Sequence, residues 1–284
     1  MAAMDATDTL CGRVAWVPGG ATGIGRAAAL SLARRGADVA VGSLTRALMG
    51  ERVGPESTLD ISEETLDEAR RLIEAAGVRA LALPLDTGNE ESVASHHAAV
   101  VKALGPVDIL VHTAGMGGRM AMISHTTAFW DRVINVNLSG PFRTVRAVFP
   151  GMVARGWGRI VIVASTAASV GERDGGAARG ASKAGLLGLM RCIALEGAAC
   201  GVTCNAVSPG HVDTQQSRRA VESLILQRGL DTGVEEFLNE SAARLPQQRH
   251  ITAEEIGAAI AFLCGDGARG ITGENLTIAG GSLW

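Results

Sequence analysis

Short apolar runs rich in Val, Ile and Ala alternate along this chain with longer stretches of helical period, and that alternation limits the fold more than any other feature. RVAWV (13–17) precedes a glycine-rich turn and a predicted helix over 23–35. DVAVG (38–42) leads through an irregular stretch to a predicted helix near 62–76, with acids early and arginine later. RALAL (79–83) is followed by a helical pattern near 90–104, and VDILV (107–111) by a loop and a long helical region from about 126 to 154. RIVIV (159–163) ends in a loop of small residues before a helix near 180–199. VTCNAV (202–207) opens into a polar segment, 211–250, then a last helix near 253–264, and LTIA (276–279) closes the series. Strands alternating with helices imply a parallel sheet covered on both faces. The expected fold is therefore α/β: a doubly wound parallel sheet in a single domain over 1–284, with 1–10 as a flexible tail. Segment 211–250 is charged, short of strand signals and follows a Pro-Gly, so it is expected to be a loop or cap over the substrate.

Composition narrows the function classes. Apolar residues make up 47% of the 284 and charged residues 19%, which fits a folded globular chain. The net charge of −3 supplies no polycationic surface, so neither nucleic acid nor a membrane surface is expected as a partner. No apolar run approaches the length of a membrane span, and the opening MAAMDATDTL has acids and no apolar core, so no secretory signal is expected. The cysteines (Cys11, Cys192, Cys200, Cys204 and Cys264) form no CxxC pair, which predicts a reducing, cytoplasmic setting and no metal site.

Between the first strand and first helix lies Pro18-Gly19-Gly20-Ala21-Thr22-Gly23-Ile24-Gly25. Gly23-x-Gly25-x-x-Ala28 has the spacing of dinucleotide sites, where glycines let the backbone turn sharply and bring N–H groups to a pyrophosphate. About 20 residues further on, such sites often carry an acid for the ribose 2′-hydroxyl. Here the second strand ends Val41-Gly42-Ser43-Leu44-Thr45-Arg46, with no acid to repel a 2′-phosphate and with Arg46 as its candidate partner. Ser43 and Arg46 thus favour NADP over NAD; a solvated Arg46 is the plain alternative.

Further stretches coincide with one family. PGGATGIG (18–25), LD (85–86), DILVHTAG (108–115), NVNLSGPF (135–142), RIVIVAST (159–166), ASKAGLLGL (181–189) and NAVSPGHVDT (205–214) resemble the short-chain dehydrogenases/reductases in order and spacing, from Arg13 to about Gly281. The resemblance implies a seven-stranded Rossmann-like sheet, a nicotinamide cofactor and a homo-oligomer, dimer or tetramer. It places Gly19, Gly20, Thr22, Gly23, Ile24 and Gly25 around the pyrophosphate. Asp86 and Thr87 would lie at the adenine, and Ala114 and Gly115 beside the cofactor. Pro209, Gly210, Val212 and Thr214 would line the nicotinamide side. Asp108 would brace the glycine turn, Lys183 would hold the nicotinamide ribose and lower the pKa of a neighbouring acid, and Asn137 would hold a relay water. A polar bridge between helix and sheet is the alternative role for Asn137.

The chain departs from the family pattern where the chemistry is centred. The family's acid is a Tyr in YxxxK; here the window is Arg179-Gly180-Ala181-Ser182-Lys183, and the chain has no tyrosine. Counting thirteen residues back puts Thr166, preceded by Ser165, at the family's serine position, and the family's Asn-Asn-Ala-Gly reads His112-Thr113-Ala114-Gly115. Arginine stays protonated and cannot cycle a proton with a carbonyl, although it can hold an anion. Arg179 would therefore grip a substrate carboxylate or an enolate together with Lys183, or else swing out to Glu172 or Asp174.

Three readings follow. The first is NADPH-dependent reduction of an activated C=C, as in an enoyl thioester, or of a C=N. The second is ketone/alcohol chemistry with a substitute proton donor, His112 or His211, with Thr166, Ser165 and Ser182 acting only through water. The third is a non-redox cyclase, dehydratase or epimerase, or an inactive partner subunit. Met116, Met120 and Met122 are candidates for an apolar substrate wall, or for a flexible loop. The stretch from Leu44 to Asp60 would extend the wall at the adenosine end, and Trp284 would pack at a subunit interface. His96 and His97 are read as solvated. Arg218, Arg219, Leu224, Leu226, Phe237 and Leu238 suit an apolar ligand with a negative end.

Overall fold

A parallel sheet in the strand order β3-β2-β1-β4-β5-β6-β9 organises the chain in a computed structural model, which describes residues 9–49, 61–172 and 175–283. The sheet strands are β1 (Val14–Pro18), β2 (Asp38–Ser43), β3 (Ala80–Pro84), β4 (Ile109–His112), β5 (Gly158–Val163), β6 (Val202–Pro209) and β9 (Asn275–Ile278). A short parallel pair, β7 (Val212–Asp213) with β8 (Ile251–Thr252), stands apart from it. The order runs outward from β1 on one side and from β4 on the other, so the direction of winding reverses between them. Ligands collect beyond the carboxyl ends of strands at such a reversal.

Side-chain alternation along β1 shows how the faces are filled. Ala15 and Val17 point into one core, with Leu32, Val39, Ile109 and Ile256. Val14 and Trp16 point into the other, with Leu110, Ile160, Leu186 and Met190. Helices α1 (Gly23–Ala33), α3 (Glu63–Glu74) and α10 (Ala253–Cys264) contribute to the first core; α4 (Glu90–Leu104), α6 (Gly140–Arg155) and α7 (Ala177–Ala198) contribute to the second.

Local signals set these helices. Ser62 and Asn89 cap α3 and α4 by accepting the N–H groups of Thr65 and Ser92, each with two glutamates in the first turn. Thr252 and Glu255 form a reciprocal box at the start of α10. The long helical region read over 126–154 is two helices, α5 (Thr127–Ile134) and α6, joined by a π-helical stretch, Asn135–Ser139. This wider turn brings Asn137 into the interior with no exposed surface.

Several expectations are corrected. The segment 211–250 holds α8 (Gln215–Arg228) and α9 (Val234–Ala243), and the irregular stretch after β2 holds a four-residue helix, α2 (Arg46–Met49). His96 is buried rather than solvated: it stacks on Trp16, and a Cβ on Gly42 would come within 2.5 Å of its Nε2. Asp108 lies at the far end of the sheet from the glycine turn, where its Oδ2 accepts the Val14 N–H, so it braces the start of β1. Most of the tail read over 1–10 lies outside the described residues, but Leu10 is buried and donates its N–H to the Arg35 carbonyl. Asp174, Trp284 and residues 50–60 of the lengthened wall also lie outside the described residues.

Candidate active site

The turn after β1 is built on glycines that no other residue could replace. Gly19 has φ +88°, and a Cβ there would lie 2.5 Å from both Ala114 N and Thr113 Oγ1. A Cβ on Gly25 would lie 2.1 Å from the Gly19 carbonyl oxygen. The turn is held from β4: Thr113 Oγ1 and the N–H groups of Thr113 and Ala114 all donate to the Pro18 carbonyl at 2.9 Å. Thr113 thus does the bracing expected of Asp108. The signal was its place directly after β4, opposite the end of β1.

A cavity of about 360 Å³ opens at this edge. Of the residues expected at a cofactor, it is lined by Gly19, Thr22, Gly23, Ile24 and Gly25, by Ser43, Asp86 and Thr87, and by Ala114, Gly115 and Thr214. Thr22 makes no side-chain cap on α1, and the first turn of that helix carries no acid, so its N-terminal N–H groups are left for an anion. Leu44, Leu48, Ile61 and Leu85 form an apolar wall near Ser43, and Asp86 Oδ1 accepts the Gly88 N–H. The tight glycine turn, the uncapped helix start and the apolar wall fit the diphosphate and flat rings of a dinucleotide.

Other expected cofactor residues do not line the cavity. Gly20 faces the sheet, where a Cβ would meet Val41 at 2.6 Å. Arg46 begins α2 outside the lining. Pro209 is buried at the end of β6, Gly210 packs on Ala279 and Val212 pairs with Ile251, so of that motif only Thr214 faces the cavity. Sequence reading missed Thr113, Arg132, Asn135, Val136, Gln215 and Gln216 as lining residues. Gln215 and Gln216 open α8, a helix the polar composition hid.

Lys183 does not line the cavity but lies behind it: its Nζ donates to the carbonyl of Val163 at 2.9 Å and would be 3.7 Å from a Cβ on Gly115, both of which are lining residues. Burial, and then the positive charge of Arg179, lower the Lys183 pKa to about 7. Asn137 is a polar bridge: its Oδ1 accepts the Met116 N–H, and its Nδ2 donates to the Met116 carbonyl and to Ser182 Oγ. Ser182 in turn donates to the Arg179 carbonyl, and its hydroxyl is fixed in α7.

Arg179 lies one helical turn before Lys183 on α7. Its guanidinium forms an ion pair with Glu172 and donates through NH2 to Ser165 Oγ at 3.0 Å. Ser165, not Thr166, is therefore the hydroxyl brought to Arg179. Counting along the chain does not identify it because the regular spacing of α7 begins only at Ala177. Ser165 Oγ also accepts the Ala167 N–H as the cap of the 3₁₀ turn Thr166–Ala168.

The histidine donors divide. His112 is buried, shares a hydrogen bond with Thr144 Oγ1 through Nδ1, and has its pKa lowered to about 3, first by burial and then by Lys183. It stays neutral at physiological pH. His211 lies near Arg179, Arg119, Glu172 and His250, and desolvation and these cations push its pKa down. Met116 and Met120 pack with Phe129, Val133 and Ala178, whereas Met122 is 78% exposed; of the three methionines only Met116 lines the cavity. Arg218 is tied to Asp213 and Glu235, so it is no ready partner for a substrate anion.

Comparison with known proteins bears on the family and the fold. A family model described as "Enoyl-(Acyl carrier protein) reductase" matches residues 57–282. The chain is 35% identical to 3-oxoacyl-(acyl-carrier-protein) reductase FabG of Pseudomonas aeruginosa, covering 96% of this chain and 98% of that protein. It is 33% identical to acetoacetyl-CoA reductase of Allochromatium vinosum, covering 95% and 98%. Among solved structures it is similar to a variant of actinorhodin polyketide ketoreductase with NADPH, at a TM-score of 0.84 and 32% identity over 98% of each chain.

Proposed function

The chain belongs to the short-chain dehydrogenase/reductase family, and from that premise we propose that it is an NADP(H)-dependent reductase of a carbonyl in a thioester-linked 3-oxoacyl substrate or a close analogue. It is an oxidoreductase of that family. The relatives reported above are named as a 3-oxoacyl reductase, an acetoacetyl-CoA reductase and a polyketide ketoreductase, which weights the ketone reading over the C=C and C=N readings drawn from the missing tyrosine. NADP(H) is supported by the NADPH in a similar structure and by the end of β2, where Ser43 lines the cavity and no carboxylate stands at 42–46.

One observation carries the mechanism: Ser165 Oγ accepts two hydrogen bonds, from Arg179 and from Ala167 N–H. A hydroxyl has two lone pairs and one proton. With both lone pairs engaged, the Ser165 proton is left as a donor, and the guanidinium increases its acidity. Ser165 can therefore polarise a carbonyl although no tyrosine exists. Lys183, titrating near pH 7, holds a second proton at Nζ beside the cavity and serves as general acid for the developing alkoxide. Arg179 does not donate a proton; it supplies a fixed positive charge near the oxygen where negative charge develops. A bound nicotinamide supplies the hydride. Gly19, Thr22–Gly25, Ser43, Asp86, Thr87 and Thr214 would hold the dinucleotide.

Reduction of an activated C=C remains the second reading, because an enolate needs stabilisation rather than immediate protonation at oxygen, and Arg179 with Lys183 offers it. Two assays separate the readings. Nicotinamide fluorescence should show tighter binding of NADPH than NADH. NADPH consumption should then be faster with acetoacetyl-CoA than with crotonyl-CoA. Binding of neither cofactor up to about millimolar concentration would overturn both redox readings.

A further inference from the structure

Glu172 is a carboxylate on the loop before α7 that neither the glycine turn nor the cavity explains. Its Oε1 pairs with Arg179 NH1, while Arg119 NH2 lies 3.8 Å from the same oxygen. Its position depends on two glycines at the start of α7. A Cβ on Gly176 would fall 2.5 Å from Glu172 Cβ, so only glycine lets the acid pack against the start of α7. Gly175, at φ +93°, accepts the Met120 N–H and fits against the Met120 backbone, where a Cβ would lie 2.6 Å from the carbonyl carbon. Two glycines thus stand where a side chain would collide with Glu172 or with the Met120 backbone.

The guanidinium is a planar fork whose N–H directions are set together. Glu172 occupies one prong, and this determines where the other points: at Ser165 Oγ, 3.0 Å away. Without the carboxylate, a side chain that keeps 27% of its surface exposed has rotamers in which the second prong leaves Ser165. The serine would regain a free lone pair, and its proton would no longer be committed outward.

We propose that Glu172 is a positioning residue for carbonyl reduction, aiming Arg179 at Ser165 so that the serine proton is directed to the substrate. This rests on the assignment of Ser165 as carbonyl donor. Glu172 acts through Arg179 and touches no substrate.

The test uses the full-length protein with NADPH and acetoacetyl-CoA. Glu172→Gln and Glu172→Ala are expected to lower kcat by about 10- to 100-fold while KM and NADPH binding by fluorescence change little. Added formate or acetate is expected to restore part of the Glu172→Ala activity in a saturable way, because the small carboxylate re-forms the pair with Arg179. The same anions should not rescue Arg179→Ala. A purely structural role would give lower thermal stability and no anion rescue, and would overturn the proposal. A fall in KM with kcat intact would also overturn it, by making Glu172 a competitor for a substrate anion at Arg179. Ser165→Ala separates this proposal from its premise. If that variant keeps full activity, the carbonyl-donor assignment fails; if it loses activity while Glu172→Gln does not, only the positioning role fails.

Discussion

The Arg179 guanidinium donates to Ser165 Oγ across 3.0 Å, joining the start of α7 to the loop that follows β5. The residue at the position of the family's tyrosine thus supports a neighbouring hydroxyl instead of replacing the tyrosine's proton. Arg179→Lys keeps the charge but has no fork to engage Glu172 and Ser165 together. Its kcat for ketone reduction is expected to fall by roughly tenfold or more, with NADPH affinity unchanged by fluorescence titration. Retention of full kcat would show that charge alone suffices.

The glycine turn gives a cofactor-side prediction. A methyl group on Gly25 would collide with the Gly19 carbonyl, a backbone atom that cannot swing aside. Gly25→Ala is expected to weaken NADPH binding on the order of 100-fold while the protein remains folded by circular dichroism. Near wild-type affinity would mean that the diphosphate does not pass over this turn.

Cofactor choice is expected to turn on Ser43. Ser43→Asp places a carboxylate on the cavity wall at the end of β2. Like charges would disfavour the 2′-phosphate, so the NADPH/NADH affinity ratio should fall by about 100-fold or more in side-by-side titrations. An unchanged ratio would locate the 2′-phosphate elsewhere.

How far the sequence revealed this molecule depends on which residues face apolar neighbours. Helix α4 emerges at its read bounds because Asn89, two glutamates and Gly105 mark both ends. The α8–α9 region stayed hidden because its helices are largely polar, with Leu238 the one buried residue among their described side chains. The π-helical turn at Asn135–Ser139 changes the backbone without changing composition, so the helix there looked continuous. Glu172 was legible as one of two acids that could pair with Arg179, and the structure shows that pair; Ser165 was not legible as its second partner, because period and spacing do not encode how the chain folds back outside helices and strands. His96 looked solvated beside Glu90 and Glu91, yet it falls on the buried face of α4 with Val93 and Val100.

That buried histidine sets an acid limit on stability. Burial lowers the His96 pKa to about 4, whereas an unfolded histidine titrates near about 6.5. The unfolded chain therefore binds more protons between these values. The stability of the neutral, buried ring is fully present above about pH 6.5 and is lost as pH falls through about 4. His96→Leu is expected to show a shallower fall in Tm between about pH 6.5 and 4.5 than wild type. Parallel curves would mean that His96 is not protonated on unfolding in that range.

The most direct test of the account is the pH dependence of kcat/KM for acetoacetyl-CoA with NADPH, measured from about pH 5.5 to 9 in wild type and in Ser165→Ala. Lys183 as general acid must be protonated, so wild-type kcat/KM should be level below about pH 7 and fall tenfold per unit above it. Ser165→Ala should be slower by about 100-fold or more across the range. A profile with no break near neutrality, together with undiminished turnover in Ser165→Ala, would contradict the account and return the chemistry to the C=C reading.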